Sequence, residues 1–148
     1  MKFSIRQATV KDIDQIQMIR RAVKENVLSN PMLVTNEDCR ICITQKGKGW
    51  VAVSNEDILG FAIADLEEEN VWALFVHPDH ENKGIGKQLH DTMLNWYFGQ
   101  GKSRVWLSTD PCTRAADFYE SQNWKRSGEM PNGEIKFEMS SQQWKRRT

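Results

Sequence analysis

The residues most able to do chemistry surround a polar loop within residues 76–89, between an apolar strand and an amphipathic helix. The loop contains Gly84 and Gly86, with Lys83 and Lys87 beside them. A helix N-terminus presents unpaired backbone N–H groups and a partial positive charge, and glycine lets the backbone approach a ligand closely. The loop is therefore predicted to bind an anion, and a phosphate group suits such a site.

Two common nucleotide-binding motifs do not fit this loop. A P-loop would end in Gly-Lys-Ser/Thr, which is not found after these glycines. The dinucleotide fingerprint would place a third glycine at position 89, which is Leu89, and its strand would be the first of the chain. The loop is therefore predicted to bind phosphate without being a P-loop or a dinucleotide-binding motif.

Together with a later segment, the loop resembles two motifs of the GNAT acetyltransferase superfamily. Motif A of that family reads Gln/Arg-x-x-Gly-x-Gly/Ala at a strand–loop–helix junction, where this chain has Glu81 to Gly86. Its motif B reads Ala-x-x-Phe-Tyr-Glu-Lys-x-Gly-Phe, and residues 115–124, with Phe118 and Tyr119, are similar to it. The resemblance covers residues 3–139 and is strongest from 71 to 124.

The resemblance implies an N-acetyltransferase that moves an acetyl group from acetyl-CoA to a primary amine of a small molecule or peptide. Tyr119 would serve the departing thiolate as acid or hydrogen-bond donor. The open backbone of a bulged strand, here Phe75 and Val76, would pair with the pantetheine arm. The pyrophosphate would lie on the amides of the motif A loop, which are those of Asn82, Lys83, Gly84, Ile85, Gly86 and Lys87. No metal is expected.

Three positions depart from the family pattern. Glu81 replaces Gln or Arg, and we expect its carboxylate to point away from the pyrophosphate, with Lys83 and Lys87 compensating. Cys112 replaces an Asn that contacts the cofactor arm. Asn123 replaces the glycine that ends the motif B helix, and asparagine tolerates the left-handed conformation that such an end requires. These departures leave one alternative, an acyl-CoA-binding sensor or regulatory module without turnover.

The reaction also needs a base, because an amine with a pKa near 10.4 is almost fully protonated at pH 7. Removing that proton costs roughly 4–5 kcal/mol. The candidates are Asp65, Glu67, Glu68 and Glu69, between two central strands. The alternative for this acidic run is a solvated hairpin turn. The corresponding alternative for Tyr119 is packing beside Phe118.

Other polar features carry weaker hypotheses. Cys39 and Cys42 have C-x-x-C spacing, but they lie in a predicted amphipathic helix without a second cysteine pair, which argues against zinc or redox chemistry. His77 and His80 precede the glycines and could be bases or ligands, but they lack further partners. Residues 26–35 lie where the resemblance places the wall of the acceptor site.

Composition limits the remaining possibilities. The 148 residues suit a single domain over 1–148, and Lys+Arg equal Asp+Glu at 20 each, which disfavours nucleic-acid binding. There is no apolar run long enough to cross a membrane and no signal-peptide core. Three scattered cysteines indicate a reducing compartment, and we expect a cytoplasmic protein. The last strands could pair across a homodimer.

Hydrophobic periodicity predicts the elements that position these residues. Helices are expected over 10–28, 35–45, from Gly84 to just before Gly99, and over 114–122. Strands are expected over 2–7, 50–53, 58–66, 71–76 and 105–107. A closing hairpin follows, with its turn around Pro131–Gly133 and its second strand at 135–139. The order is β-α-α-β-β-β-α-β-α-β-β. It predicts an α/β domain with a GNAT-like mixed, mostly antiparallel twisted sheet flanked by about four helices.

Overall fold

The computed structural model describes residues 2–23 and 34–146. Its strands are β1 (Ser4–Gln7), β2 (Gly47–Ser54), β3 (Asp57–Asp65), β4 (Asn70–Val76), β5 (Arg104–Thr109), β6 (Lys125–Glu129) and β7 (Ile135–Ser140). Its helices are α1 (Ile13–Ala22), α2 (Asn36–Ile41), α3 (Ile85–Gly99), α4 (Arg114–Ser121) and α5 (Ser141–Arg146). The predicted order of elements is confirmed as far as β7, and α5 is an addition.

The strands form one seven-stranded sheet in the order β1-β2-β3-β4-β5-β7-β6. Every neighbouring pair is antiparallel except β4 and β5, which are parallel. The mixed, mostly antiparallel sheet is therefore confirmed. The β4–β5 junction divides the sheet into two antiparallel parts.

Strand β3 runs through the centre of the first part and is buried from Ile58 to Asp65, as predicted. Alternate residues of a strand point to opposite faces. On one face the core includes Leu89, Met93 and Tyr97 of α3, and on the other it includes Ile16 of α1. Helices therefore cover both faces of the sheet.

The first helix is shorter than predicted. Val23 has an extended backbone, and its N–H donates to the Ile19 carbonyl in the closing turn of α1, so the prediction that helix 10–28 includes Val23 is wrong. Apolar spacing indicates which residues are packed, and Val23 is half-buried and lines the cleft without being helical. Residues 24–28 of that prediction lie outside the described residues.

The second helix begins at the predicted cap. The Asp38 N–H donates to the Thr35 hydroxyl at 3.0 Å, and the Thr35 N–H donates to the Asp38 carboxylate at 2.9 Å, which is a capping box. The α-helix ends at Ile41, and residues 42–46 form a π-helical turn. Within it the Thr44 hydroxyl donates to the Arg40 carbonyl at 2.6 Å, a bond that competes with the regular helix ladder.

The fifth helix was missed, although its sequence signal was present. The Gln143 N–H donates to the Ser140 hydroxyl, and the Ser140 N–H donates to the Gln143 side chain, so Ser-x-x-Gln forms a capping box. Trp144 is buried and donates its indole N–H to Asn95 at 2.9 Å. Neither this helix nor any other among the described residues is long and apolar enough to cross a membrane.

Candidate functional site

A cleft opens where β4 and β5 separate. The two strands share one register pair, Asn70 with Trp106, close to the start of both. Strand β4 carries an extra residue, Trp72, because Ile63 pairs with Ala73 whereas Ala64 pairs with Val71. A bulge bends and twists a strand, so β4 turns away from β5 beyond this point. The resulting cleft has a volume of about 580 Å³, which is within the range of small-molecule sites.

One edge of β4 faces this opening without a strand partner. The His77 N–H donates to the Leu59 carbonyl of β3 at 2.8 Å. Since backbone groups alternate between the two edges of a strand, those of Phe75 also face β3, where Phe75 is in register with Phe61. The N–H and C=O of Leu74 and Val76 therefore point toward the cleft. The open backbone was predicted at Phe75 and Val76, whereas the strand pairing puts it at Leu74 and Val76 and turns the Phe75 groups toward β3.

The N-terminus of α3 closes one end of the cleft. Gly84 precedes the helix with a φ of 81°, in the left-handed region that favours glycine. The first bond into this turn runs from the Gln88 N–H to the Gly84 carbonyl, so the N–H groups of Ile85, Gly86 and Lys87 precede the helical ladder. Gly86 lines the cleft, and a Cβ there would be in ordinary van der Waals contact, at 3.5 Å, with the side chain of Val76.

Most residues predicted for the site lie along this cleft. Lys83 is the exception, because it is exposed and does not line it. The other eight predicted residues do line it: Phe75, Val76, Asn82, Gly84, Ile85, Gly86, Lys87 and Tyr119. The fold therefore brings segments about 40 residues apart in sequence to one cavity.

The departure at Glu81 is compensated in a different way from the one expected. Glu81 lines the cleft and forms an ion pair with Arg114, the first residue of α4. Lys87 instead pairs with Asp91, one turn further along α3, at 2.8 Å. The cation beside Glu81 is therefore Arg114 rather than Lys83 or Lys87, and the orientation of Glu81 relative to a pyrophosphate stays a prediction. Sequence spacing could not identify Arg114 as the partner of Glu81, because their contact depends on how α4 packs beside the loop.

Tyr119 projects from α4 into an aromatic cluster beside the cleft. The helix begins at the predicted cap, where the Ala116 N–H donates to the Thr113 hydroxyl at 3.2 Å. The Tyr119 ring lies 5.4 Å from Trp124 and 6.0 Å from Phe137. Burial raises the pKa of its hydroxyl above the ordinary value of 10. The phenol therefore stays protonated through the neutral range and can donate a hydrogen bond.

Asn123, which follows α4, has a φ of 71°. The prediction of a left-handed residue at this helix end is confirmed. The cap lets the chain turn back so that the Trp124 indole N–H donates to the Nε2 atom of buried His90 at 3.0 Å. Cys112, the third departure, is exposed, has a φ of 58°, and does not line the cleft.

The cleft contains a carboxylate that the sequence analysis missed. Glu134 precedes β7, is 7% exposed and lines the cleft. Its Oε1 accepts hydrogen bonds from the Ser108 hydroxyl at 3.1 Å and from the Asn132 amide at 3.0 Å. The sequence signal was a lone acid after a Pro-Asn-Gly turn, which is also what a solvated hairpin would contain.

The four acids predicted as bases do not reach this cleft. The Asp65 carboxylate accepts the N–H groups of Glu67 and Glu68 at 2.8 and 3.0 Å, which fixes the β3–β4 turn. Glu69 pairs with Lys102, and Glu67 to Glu69 are exposed. None of the four lines the cleft: Glu67 to Glu69 form a solvated turn and buried Asp65 fixes that turn, so those base candidates are wrong.

Unsatisfied polar atoms concentrate at the same place. Among residues 2–23 and 34–146, the buried side-chain atoms without a hydrogen-bond partner are Nε and Nη2 of Arg20, Oδ1 of Asn70 and Nδ1 of His80. All three residues line the cleft. Buried polar groups are nearly always paired, so unpaired ones along one cavity indicate a polar ligand.

The cysteine pair has a structural environment. Cys39 and Cys42 are buried against α1, and burial raises the pKa of both thiols, that of Cys42 to about 12. His77 is used locally, since its Nδ1 accepts the Asp79 N–H at 3.1 Å. Within the described ranges, no group of three or more His, Cys, Asp and Glu side chains could hold a metal ion.

The predicted acceptor wall, residues 26–35, falls largely outside the described residues. Val34 is described, and it lines the cleft together with Arg20 and Val23 of the α1 side. The Gln17 amide donates to the Val34 carbonyl at 2.8 Å, which ties this segment to α1. The cleft is therefore lined from both faces of the sheet.

Comparisons with known proteins agree with this geometry. The family model described as "Acetyltransferase (GNAT) family" matches residues 13–124, more than half of the chain. N-acetyltransferase 8 of Homo sapiens is 34% identical over 89 residues, and an uncharacterized N-acetyltransferase of Prochlorococcus marinus is 33% identical over 70 residues. These matches cover 54% and 45% of this chain, and they span 39% and 38% of the two relatives, which is less than half of each.

A solved structure extends the likeness to the whole fold. The PaiA N-acetyltransferase of Thermoplasma acidophilum, solved in complex with coenzyme A, superposes with a TM-score of 0.75. The superposition covers 95% of this chain and 99% of that one, at 15% identity. At such low identity the likeness is one of fold.

Proposed function

Since the chain belongs to the GNAT acetyltransferase family, we propose that it transfers an acetyl group from acetyl-CoA to a primary amine of a small molecule or peptide. The observation that carries this proposal is the cleft between β4 and β5. It combines an unpaired strand edge, a helix N-terminus and buried polar atoms without partners. These groups suit an amide-containing arm and a pyrophosphate better than an apolar ligand.

The donor would bind along the cleft through backbone groups. The N–H groups of Ile85, Gly86 and Lys87 at the start of α3 would bind the pyrophosphate, since a helix N-terminus favours anions. The open edge of β4 at Leu74 and Val76 would pair with the pantetheine amides in the manner of an added strand. One of these N–H groups would also stabilise the negative charge that develops on the thioester oxygen.

Glu134 is the proposed base. Its carboxylate lies in the cleft, and Ser108 and Asn132 hold its Oε1 in place. It would accept a proton from the acceptor amine, which offsets the roughly 4–5 kcal/mol needed to deprotonate the amine at pH 7.

Tyr119 would act at the leaving group. As the amine nitrogen forms its bond to the carbonyl carbon, the carbon–sulfur bond breaks and sulfur gains negative charge. The protonated Tyr119 hydroxyl would donate a hydrogen bond to that sulfur, and the products are an N-acetylated amine and a thiolate, which takes up through solvent the proton that the nitrogen loses as the amide forms. The raised pKa of Tyr119 supports a hydrogen-bond role rather than full proton transfer, because a thiol has a pKa of about 8.5.

Thiol release from acetyl-CoA in the presence of a panel of amines tests the activity. We expect amine-dependent release, and acetyl-CoA binding without release on any amine would instead support the sensor alternative. Glu134→Gln should lower kcat/KM by roughly 100-fold while acetyl-CoA binds normally, since general-base catalysis contributes about 10²–10⁴-fold. Glu129→Gln, on exposed β6, is the matched control and should keep wild-type turnover.

A further inference from the structure

A buried arginine lies on the α1 side of the cleft. Arg20 is in the last turn of α1, is 7% exposed and lines the cleft. Its Nε and Nη2 atoms have no hydrogen-bond partner within residues 2–23 and 34–146. Burial lowers its pKa, and the neighbouring Cys39 and Cys42 are neutral thiols near pH 7 because burial raises their pKa values. The guanidinium is thus desolvated, and within the described residues no acid neutralises it.

Aromatic rings hold this guanidinium in place. Its central carbon lies 5.1 Å from the ring centroid of Trp72, 5.2 Å from Phe75 and 5.7 Å from Phe61. Cation–π contacts of this kind stabilise a buried cation, but they satisfy none of its directional N–H donors. The rings therefore position Arg20 and leave its hydrogen-bonding capacity for another group.

The two unpartnered atoms define what that group must look like. Nε–H and one N–H of Nη2 lie on the same edge of the planar guanidinium and point in the same direction. Such an edge donates two parallel hydrogen bonds, which match the two oxygens of a carboxylate. A buried cation is costly unless it is paired and hydrogen-bonded, so a ligand carboxylate would remove that cost.

We propose that Arg20 binds a carboxylate of the acceptor, so that the acceptor of this enzyme is an amine that also carries a carboxylate. This inference rests on the proposed function, because it assigns a substrate class to the same cleft. The donor-binding groups belong to α3 and the open edge of β4, whereas Arg20 reaches the cleft from α1 on the opposite face. A carboxylate held there leaves the acceptor amine to face the thioester from the α1 side.

The carboxylate could belong to a free amino acid or to an acidic side chain of a peptide, and paired acceptors distinguish these sources. The first pair is leucine and leucinamide, and the second is Leu-Glu-amide and Leu-Gln-amide, each with acetyl-CoA. We expect the carboxylate-bearing member of one pair to have a kcat/KM roughly 10- to 100-fold higher, the range expected for hydrogen bonds between charged groups.

Variants of Arg20 test whether this preference depends on it. Arg20→Met should reduce the preference to within about twofold, and Arg20→Lys should keep part of it, because lysine retains charge but lacks the two-donor edge. Arg21→Met is the matched control, since Arg21 is the exposed neighbour in the same turn, and it should retain the full preference. Near-ultraviolet circular dichroism of each variant checks that the aromatic packing around position 20 is intact.

Equal kcat/KM values within both pairs, or a preference that survives Arg20→Met, would overturn the inference while the acetyltransferase function stands. If no amine is acetylated, the proposed function fails, and calorimetry with both acceptor pairs still tests the carboxylate site. Binding of leucine or of Leu-Glu-amide that is at least tenfold tighter in the wild type than in Arg20→Met supports it. Equal or undetectable binding of both compounds overturns it.

Discussion

The two tyrosines of the chain, Tyr97 and Tyr119, are both buried, but their hydroxyl groups have different environments. The Tyr97 hydroxyl donates to the Arg104 carbonyl at 2.6 Å and does not line the cleft. Tyr119 lines the cleft, and no hydrogen bond to its hydroxyl is present among the described residues. Replacing Tyr119 with phenylalanine should therefore reduce turnover and leave stability unchanged, whereas replacing Tyr97 should reduce stability and leave turnover unchanged.

For Tyr119→Phe we expect a loss of turnover with little change in stability. The ring contacts with Trp124 and Phe137 remain, and no protein hydrogen bond is lost, so the free energy of unfolding should change by less than about 0.5 kcal/mol. A hydrogen bond to a charged group contributes about 1.5–3 kcal/mol, which corresponds to a kcat lower by roughly 10- to 150-fold. Full proton donation would give a larger loss, but the raised pKa of Tyr119 argues against it.

For Tyr97→Phe we expect a loss of stability with no change in turnover. The substitution removes a buried hydrogen bond to the Arg104 carbonyl, which costs about 1–3 kcal/mol. For a domain of this size, each kcal/mol lowers Tm by about 2–4 °C, so Tm should fall by about 2–12 °C. Turnover per folded molecule should stay at the wild-type value.

Thermal unfolding and thiol release at saturating acetyl-CoA measure the two quantities on the same preparations. Wild-type kcat in Tyr119→Phe would refute its role at the leaving group, and a fall in Tm equal to that of Tyr97→Phe would show that its hydroxyl serves the core. The pH profile adds a further check. Because burial raises the pKa of Tyr119, its deprotonation should produce no fall in kcat up to pH 10.

Three further substitutions test the surroundings of the site. Gly86→Val places a branched side chain where the backbone should meet the pyrophosphate. Calorimetry should therefore show an acetyl-CoA affinity at least tenfold lower than in the wild type. Wild-type affinity would exclude the assignment of this loop to phosphate binding. Glu81→Gln removes a carboxylate beside the proposed pyrophosphate site, so acetyl-CoA affinity should rise about two- to tenfold with less than about 1 kcal/mol of stability change. Weaker binding would show that the ion pair with Arg114 organises the loop. Asp12 accepts hydrogen bonds from Arg6 at 2.8 and 2.9 Å, and these lower its pKa below the ordinary 3.8. The carboxylate therefore stabilises the folded state above about pH 4, and this stabilisation is lost as pH falls through the lower pKa of the folded protein. Urea unfolding of Asp12→Asn should therefore show a loss of about 1–3 kcal/mol at pH 7 that shrinks toward pH 2, and a loss independent of pH would contradict this.

Local signals in the sequence were enough to predict most elements and the anion-binding end of the cleft. Thr35 and Thr113 cap their helices as predicted because a capping residue acts within three positions of itself. Gly84 adopts the left-handed conformation at the start of α3, and Asn123 adopts it after α4. Each of these features depends on neighbours along the chain, so the sequence alone determines them.

Only the tertiary structure decided which charged side chains meet in the cleft. Glu134 and Ser108 are 26 positions apart, and β5 and β7 pair to bring them within 3.1 Å. The sequence does not distinguish Arg20 from any other basic residue near a helix C-terminus, yet α1 packs it against Trp72 and Phe75. Contacts of this kind depend on sheet register and on the separation of β4 from β5, which no local pattern encodes.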